Sequence, residues 1–274
     1  MNIKNITIKI YDNCDTIKDE WIAFQDISHS FSFQTYEWVS TWYSTIGLDR
    51  KSKIQIVKVS LKDEIIMILP LCIERKFGGK ILTFSDGDYR CGLFCSNFNT
   101  KINSKVFYLI WHAILRKINN YDLVYFSLQP KCIGSFKNPF VKYLKSYPYH
   151  AKSYQVDISN GWNEYKLSVS KKLLNDSERQ IKRLGKIGDV KFEVANNFNQ
   201  INIFTKQMIK QKSYQYLITG VKNNFDNRKF EDFYFDLNNL TLDINQVHLS
   251  ALKVNSEIIA VHWGLIDKKN STLF

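Results

Sequence analysis

Three groups of residues in this chain have the types and spacing to do chemistry. The first lies in Ser168–Ile187, a run with helical periodicity. On a helical projection Arg179, Arg183 and Lys186 fall within about 40° of Lys172, and Lys182 lies about 80° away. Leu173, Leu174, Ile181, Leu184 and Ile187 share the other side. A cationic stripe of this kind suits phosphate groups on a donor or acceptor; the plain alternative is a solvated face. Arg179 and Arg183 stand out because only seven of the 38 basic residues are arginines, and a guanidinium grips phosphate bidentately.

The second group is Asp86-Gly-Asp-Tyr89, a polar loop after the strand-like run Lys80–Ser85. Loops that follow buried strands often display functional groups. Asp88 is a candidate proton acceptor for an amine or hydroxyl, with Asp86 and Tyr89 as substrate contacts. Asp-Gly-Asp is equally turn chemistry, in which carboxylates bond nearby amides. The third group is His248 and His262, on two strand-like runs joined at Asn255-Ser256. His262 alternates with Val261 and Trp263, so its imidazole points to one defined face and is a candidate general base. A partly buried structural histidine is the alternative.

Other chemistry finds no support in the spacing. The five cysteines (Cys14, Cys72, Cys91, Cys95 and Cys132) are odd in number and scattered. Without a CxxC or a paired His spacing, neither a disulfide framework nor a metal site is expected. Cys91 and Cys95 have no nearby base and read as packing residues.

The elements that must position these groups can be read from periodicity. Ile3–Tyr11 alternates as a strand, and Asp15 can cap a helix through Ile17, Trp21, Phe24 and Ile27. A second helix runs from Gln34 to Ile46. Lys53–Leu61 and Glu64–Lys76 are strands joined by Lys62-Asp63, the second read as an edge or bulged strand because of Pro70. A helix from Asn103 or Ser104 to Ile118, a buried strand Leu123–Leu128, a short helix near Phe140–Leu144 and a strand His150–Ile158 complete the first half. The second half reads as the basic helix, a strand Val190–Val194, helices Ile201–Leu217 and Phe230–Leu240, the hairpin Gln246–Val254 and Glu257–Ile266, and a strand beginning at Ser271.

Composition bounds the class. A chain of 274 residues with 45% hydrophobic and 15% aromatic residues buries roughly 75% of its unfolded surface, which argues against disorder. The longest uncharged apolar stretches, Ile65–Ile73 and Val106–Leu115, are far short of the about 20 residues of a membrane helix. No membrane span and no secretory leader are expected, and the default location is cytoplasmic. The net charge of +12 is carried by lysine in a chain also rich in Asn, Ile, Tyr and Phe. Such a mix is what codon bias toward A and T gives without any binding surface.

The order β-α-α-β-β-β-α-β-α-β resembles the GNAT acyltransferase superfamily, and the local words resemble its CelD-type, FemAB-like branch. These words are Phe33-Gln-Thr-Tyr-Glu-Trp38 followed by Trp42, Ile65-Ile-Met-Ile-Leu-Pro-Leu71 and Leu82-Thr-Phe-Ser-Asp-Gly-Asp-Tyr89. They continue with Arg179-Gln-Ile-Lys-Arg-Leu184, Gly188-Asp-Val-Lys-Phe-Glu193, Leu249-Ser-Ala-Leu252 and Ile258-Ile-Ala260. The resemblance implies an α/β fold of two GNAT-like halves with mixed sheets flanked by helices. Residues 1–157 would be a degenerate half and residues 158–274 an incomplete acyltransferase half. It implies transfer of an acyl group, acetyl by preference, from acyl-CoA as co-substrate to a small or polymeric acceptor, in envelope or polysaccharide metabolism. An aminoacyl-tRNA donor is also compatible with the branch.

One departure bears on this expectation. GNAT domains hold the donor pyrophosphate on a glycine-rich loop at a helix N-terminus. The first-half equivalent, Asn97-Phe-Asn-Thr-Lys-Ile-Asn103, contains no glycine. The second-half equivalent would follow Phe274, so a complete donor site is not expected in these residues. The rival reading is a non-catalytic homologue whose basic helix binds RNA or another polyanion.

Overall fold

Alternating apolar residues set up the first sheet. The computed structural model describes residues 5–76, 78–148, 154, 156, 158–241, 247–267 and 272–273. β1 (Ile6–Tyr11) turns Ile6, Ile8 and Ile10 inward and exposes Thr7 and Lys9, the period of a strand with one wet face. It pairs antiparallel with β2 (Lys53–Leu61), Ile8 opposite Val59 and Ile10 opposite Val57. β2 turns into β3 (Glu64–Lys76) through Lys62 and Asp63, both at positive φ, the backbone of a two-residue hairpin. β4 (Gly79–Phe84) follows antiparallel, β5 (Leu93–Phe94) pairs with β3, and β6 (Leu123–Val124) runs parallel to β4. The sheet is therefore mixed, in the order β1-β2-β3-β4-β6.

Helices supply the rest of this core. α1 (Lys18–Ile27) buries Trp21 and Phe24, and α2 (Tyr36–Trp42) buries Trp38, Val39 and Trp42. The single turn α3 (Phe98–Lys101) leads into α4 (Ser104–Lys117), whose Val106, Phe107, Ile110, Trp111 and Ile114 form one buried stripe. The hairpin of β7 (Cys132–Ile133) and β8 (Phe136–Lys137) precedes α5 (Pro139–Tyr143), which buries Phe140 edge-on to Trp111.

Beyond Tyr147 the chain builds a second compact unit, Pro148–Asn223 with Val247–Gly264; Asn224–Gln246 and Leu265–Phe274 belong to the first. In the second unit stand α6 (Gly161–Ser168), α7 (Lys171–Leu184), β9 (Val190–Val194) and α8 (Phe198–Thr219). α9 (Arg228–Thr241) returns to the first unit and sets Phe233 edge-on to Trp38, ring centroids 5.0 Å apart. β10 (Val247–Val254) and β11 (Glu257–Asp267) are adjacent antiparallel partners in the order β9-β10-β11, and the end of β11 pairs with β12 (Thr272–Leu273). The protein is thus α/β, with mixed sheet flanked by helices.

Several sequence expectations are corrected. The strand with Pro70 is central, not an edge, but it does carry the bulge that was the alternative, since its register with β2 shifts between Val59 and Ser60. The missing N–H of Pro70 falls where the neighbour of β3 changes from β5 to β4, and its carbonyl accepts from Ser85. The strand expected over Leu123–Leu128 shrinks to two residues, with Leu123 and Tyr125 exposed, because β6 has a partner on one side only. Leu128 at positive φ then turns the chain away. Asp15 does not cap a helix; it opens a 3-10 turn and accepts a hydrogen bond from the Tyr36 hydroxyl. The second helix starts from Thr35, whose hydroxyl accepts from the Trp38 N–H. The basic helix expected over Ser168–Ile187 is shortened to Lys171–Leu184, because Ser170 in an extended conformation caps its start at Lys171. The strand placed over His150–Ile158 falls largely outside the described residues; Tyr154, Val156 and Ile158 are not in a strand.

Candidate active site

The second unit carries two of the three chemical groups. Its sheet is ordered by β9 and β10, with Val194 opposite Ser250 and Phe192 opposite Leu252. α8 packs through Ile201, Phe204, Thr205 and Ile209, spaced three to four residues apart on one buried stripe. Lys253 of β10 sits over the Phe204 ring at 5.5 Å and pairs with Glu193 at 2.6 Å. Gln207 and Gln211 of α8 both donate to the Ile258 carbonyl at 3.3 Å, which ties the helix to β11.

This scaffold brings His248 and His262 together, with ring centroids 5.6 Å apart. His248 is half-buried, and its Nε2 lies 3.2 Å from the hydroxyl of the buried Ser250. Burial, and then the neighbouring His262, hold the His248 pKa below the ordinary value of 6.5. His248 is therefore a neutral imidazole at neutral pH, which can accept a proton. His262 is exposed. The sequence singled out His262 on strand alternation; only the fold shows that His248 holds the hydroxyl partner.

α7 displays the cations. Ser170 caps its first turn by accepting from the Leu173 N–H at 3.3 Å. Lys172, Arg179 and Arg183 are all exposed. Arg179 is bonded to Asp176 at 2.7 Å, an exposed pair one turn away. Among the described residues, Lys172 and Arg183 have no ion-pair partner. These side chains set positive charge on one face of α7, of the kind that suits an anionic group.

The third group lies in the first unit and divides by role. Asp86 is held by two arginines, Arg50 and Arg90, the latter at 2.8 Å, and its carbonyl accepts from the Trp38 indole at 2.7 Å. Arg50 also approaches the buried Glu74 at 3.7 Å. Tyr89 stacks on Phe31 with centroids 4.5 Å apart, and its carbonyl accepts from Gln34 at 2.6 Å. Gly87 is needed for this closeness, since a Cβ there would stand 2.8 Å from that of Phe33. Asp86 and Tyr89 thus fix the loop, whereas Asp88 is exposed. Arg50, Arg90 and Glu74 were missed by sequence reasoning; the scarcity of arginine was the one signal that could have flagged the first two.

The first-unit loop Asn97–Asn103 offers no open amide cradle. The Asn103 side chain itself accepts from the Val106 N–H at 3.0 Å and so caps α4. Cys91 and Cys95 are buried among packing residues, and burial raises both thiol pKa values, which suppresses thiolate chemistry. No group of three or more His, Cys, Asp or Glu that could hold a metal is present among the described residues. No helix among them is long and apolar enough to cross a membrane.

Residues 171–274 match the family model described as an acetyltransferase (GNAT) domain. The matched stretch begins at the first residue of α7 and includes both histidines. No curated protein matches the chain.

Proposed function

We propose that the chain is an acyltransferase of the GNAT type, within the CelD-type, FemAB-like branch, that moves an acetyl group from acyl-CoA to an amine or hydroxyl acceptor in the cytoplasm. The match over residues 171–274 carries this reading. The neutral His248, in ring contact with the exposed His262, supports it by giving the matched stretch a proton acceptor.

The chemistry asked of these residues is modest. An acceptor amine or hydroxyl attacks the thioester carbonyl, the imidazole pair takes its proton, and the CoA thiolate leaves. Lys172, Arg179 and Arg183 bind phosphate on the donor. Residues 1–157 and 158–274 are, on this reading, two GNAT-like halves, the first a structural copy whose helix start is closed by Asn103.

The test is release of free CoA thiol from acetyl-CoA in the presence of amines, amino sugars and polysaccharide fragments. Acceptor-dependent release that disappears in His262→Ala is expected. Absence of release with every acceptor, together with tight salt-sensitive tRNA binding, would overturn the reading in favour of a polyanion-binding module.

A further inference from the structure

The two helices that open the second unit leave apolar side chains in water beside a dense set of cations. In α7, Leu173 and Ile181 are 57% and 58% exposed, although the helix is amphipathic and these residues share its apolar side. In α6, Trp162 is 62% exposed and Leu167 is also in solvent. Lys166 stands over the Trp162 ring at 5.9 Å. No side chain of α6 or α7 is buried. Residues 161–187 contain seven lysines and arginines against three acids.

We propose that α6 and α7 form a peripheral membrane-binding surface that seats on a bilayer containing anionic phospholipids. An amphipathic helix with leucine and isoleucine on one face and lysine and arginine on the other lies in the plane of a bilayer interface, its apolar face among the acyl chains. Trp162, with an apolar ring and a polar N–H, belongs at the same depth. Lys171 and Lys182 border one edge of the apolar face of α7 and reach headgroup phosphates by extending their stems. The opposite stripe, Lys172, Arg179 and Arg183, stays on the water side, free for a soluble anion. A nucleic acid would satisfy the cations alone and leave Leu173 and Ile181 in water, so the exposed apolar residues favour lipid.

The proposal does not depend on acyl transfer and adds where that activity would take place: at a membrane surface, within reach of acceptors anchored there. Its charge contribution is additive, each basic residue near an anionic surface favouring association about fivefold.

Sedimentation of the full chain with lipid vesicles tests it. Vesicles of phosphatidylcholine mixed with phosphatidylglycerol should carry the protein down, and vesicles of phosphatidylcholine alone should not. Leu173→Ser with Ile181→Ser should weaken partition on the order of a hundredfold, and Lys171→Gln with Lys182→Gln roughly twenty-five-fold. Trp162→Ala provides a readout independent of α7 and should also weaken partition. Circular dichroism on each variant separates lost binding from lost folding. Failure of the wild-type chain to sediment with the anionic vesicles would overturn the proposal. So would partition that the folded serine or alanine variants leave unchanged, and if Arg179→Gln with Arg183→Gln abolished it instead, α7 would be a polyanion-binding helix. Loss of thiol release in His262→Ala with vesicle binding intact separates this surface from the catalytic reading.

Discussion

Asn255 and Asp189 hold each other reciprocally: the Asn255 side-chain oxygen accepts from the Asp189 N–H at 2.9 Å, and the Asn255 N–H donates to the Asp189 carbonyl at 2.7 Å. This clasp pins the β10–β11 turn to the segment between α7 and β9. It brings Gly188 so close that a Cβ there would meet the Asn255 amide at 2.3 Å. Asn255 also takes positive φ, which asparagine tolerates better than most residues.

The clasp predicts a paired result. Asn255→Ala loses the bond and strains the turn, at about 1–2 kcal/mol. Asn255→Gly relieves only the strain and should cost less. Gly188→Ala should loosen the same turn by displacing the Asn255 side chain. Hydrogen exchange of the β10 and β11 amides checks this; protection equal to wild type in Asn255→Ala would remove the clasp from the account.

His248 gives a pH dependence of definite sign. Its pKa in the folded chain lies below 6.5, so the unfolded chain binds that proton more tightly. The stability present above 6.5 is therefore lost as pH falls through the folded value. NMR titration of the histidine ring protons should place His248 below 6.5. Replacing His262 by Gln should raise it, since His262 is the second cause of the shift. An unshifted His248 in that variant would show that burial acts alone.

The cations of α7 predict a separation of binding from folding. Arg179→Gln with Arg183→Gln changes exposed positions, where substitutions usually stay within about 0.5 kcal/mol. Thermal stability should hold, while KM for acetyl-CoA rises and its salt dependence becomes shallower. A KM that ignores both the substitution and the salt would make the stripe a solvated face.

The loop Asp86–Tyr89 predicts opposite outcomes for its two carboxylates. Asp86→Asn leaves Arg50 and Arg90 without their shared partner and should destabilise the first unit by roughly 1–3 kcal/mol. Asp88→Asn, at an exposed position, should leave stability unchanged. Denaturation curves on both variants distinguish the two carboxylates, and a stable Asp86→Asn with full structure would refute the division.

Much of this protein was legible before any coordinates because its signals are local. The bounds of β2 follow from near-alternating patterning, those of β3 from a continuous apolar run ended by charged residues, and their connection from a two-residue turn. The Asn103 cap of α4 follows from one side chain beside its own helix. The cationic stripe Lys172, Arg179 and Arg183 and the apolar face of α7 follow from spacing alone, and so does the hairpin that carries both histidines. The short strands β5, β7 and β8 were invisible, since two residues display no period and their pairing comes from residues distant in sequence.

The sequence by itself determined the α/β class, most element positions and the residue types able to bind phosphate or accept a proton. Tertiary structure alone decided their employment. Burial depends on what packs nearby, so it was the fold that committed Asp86 to Arg50 and Arg90 while leaving Asp88 in solvent. It also set His248 against Ser250 and His262, lowering its pKa through desolvation and a like-charge neighbour, two effects that exist only when distant residues meet in space.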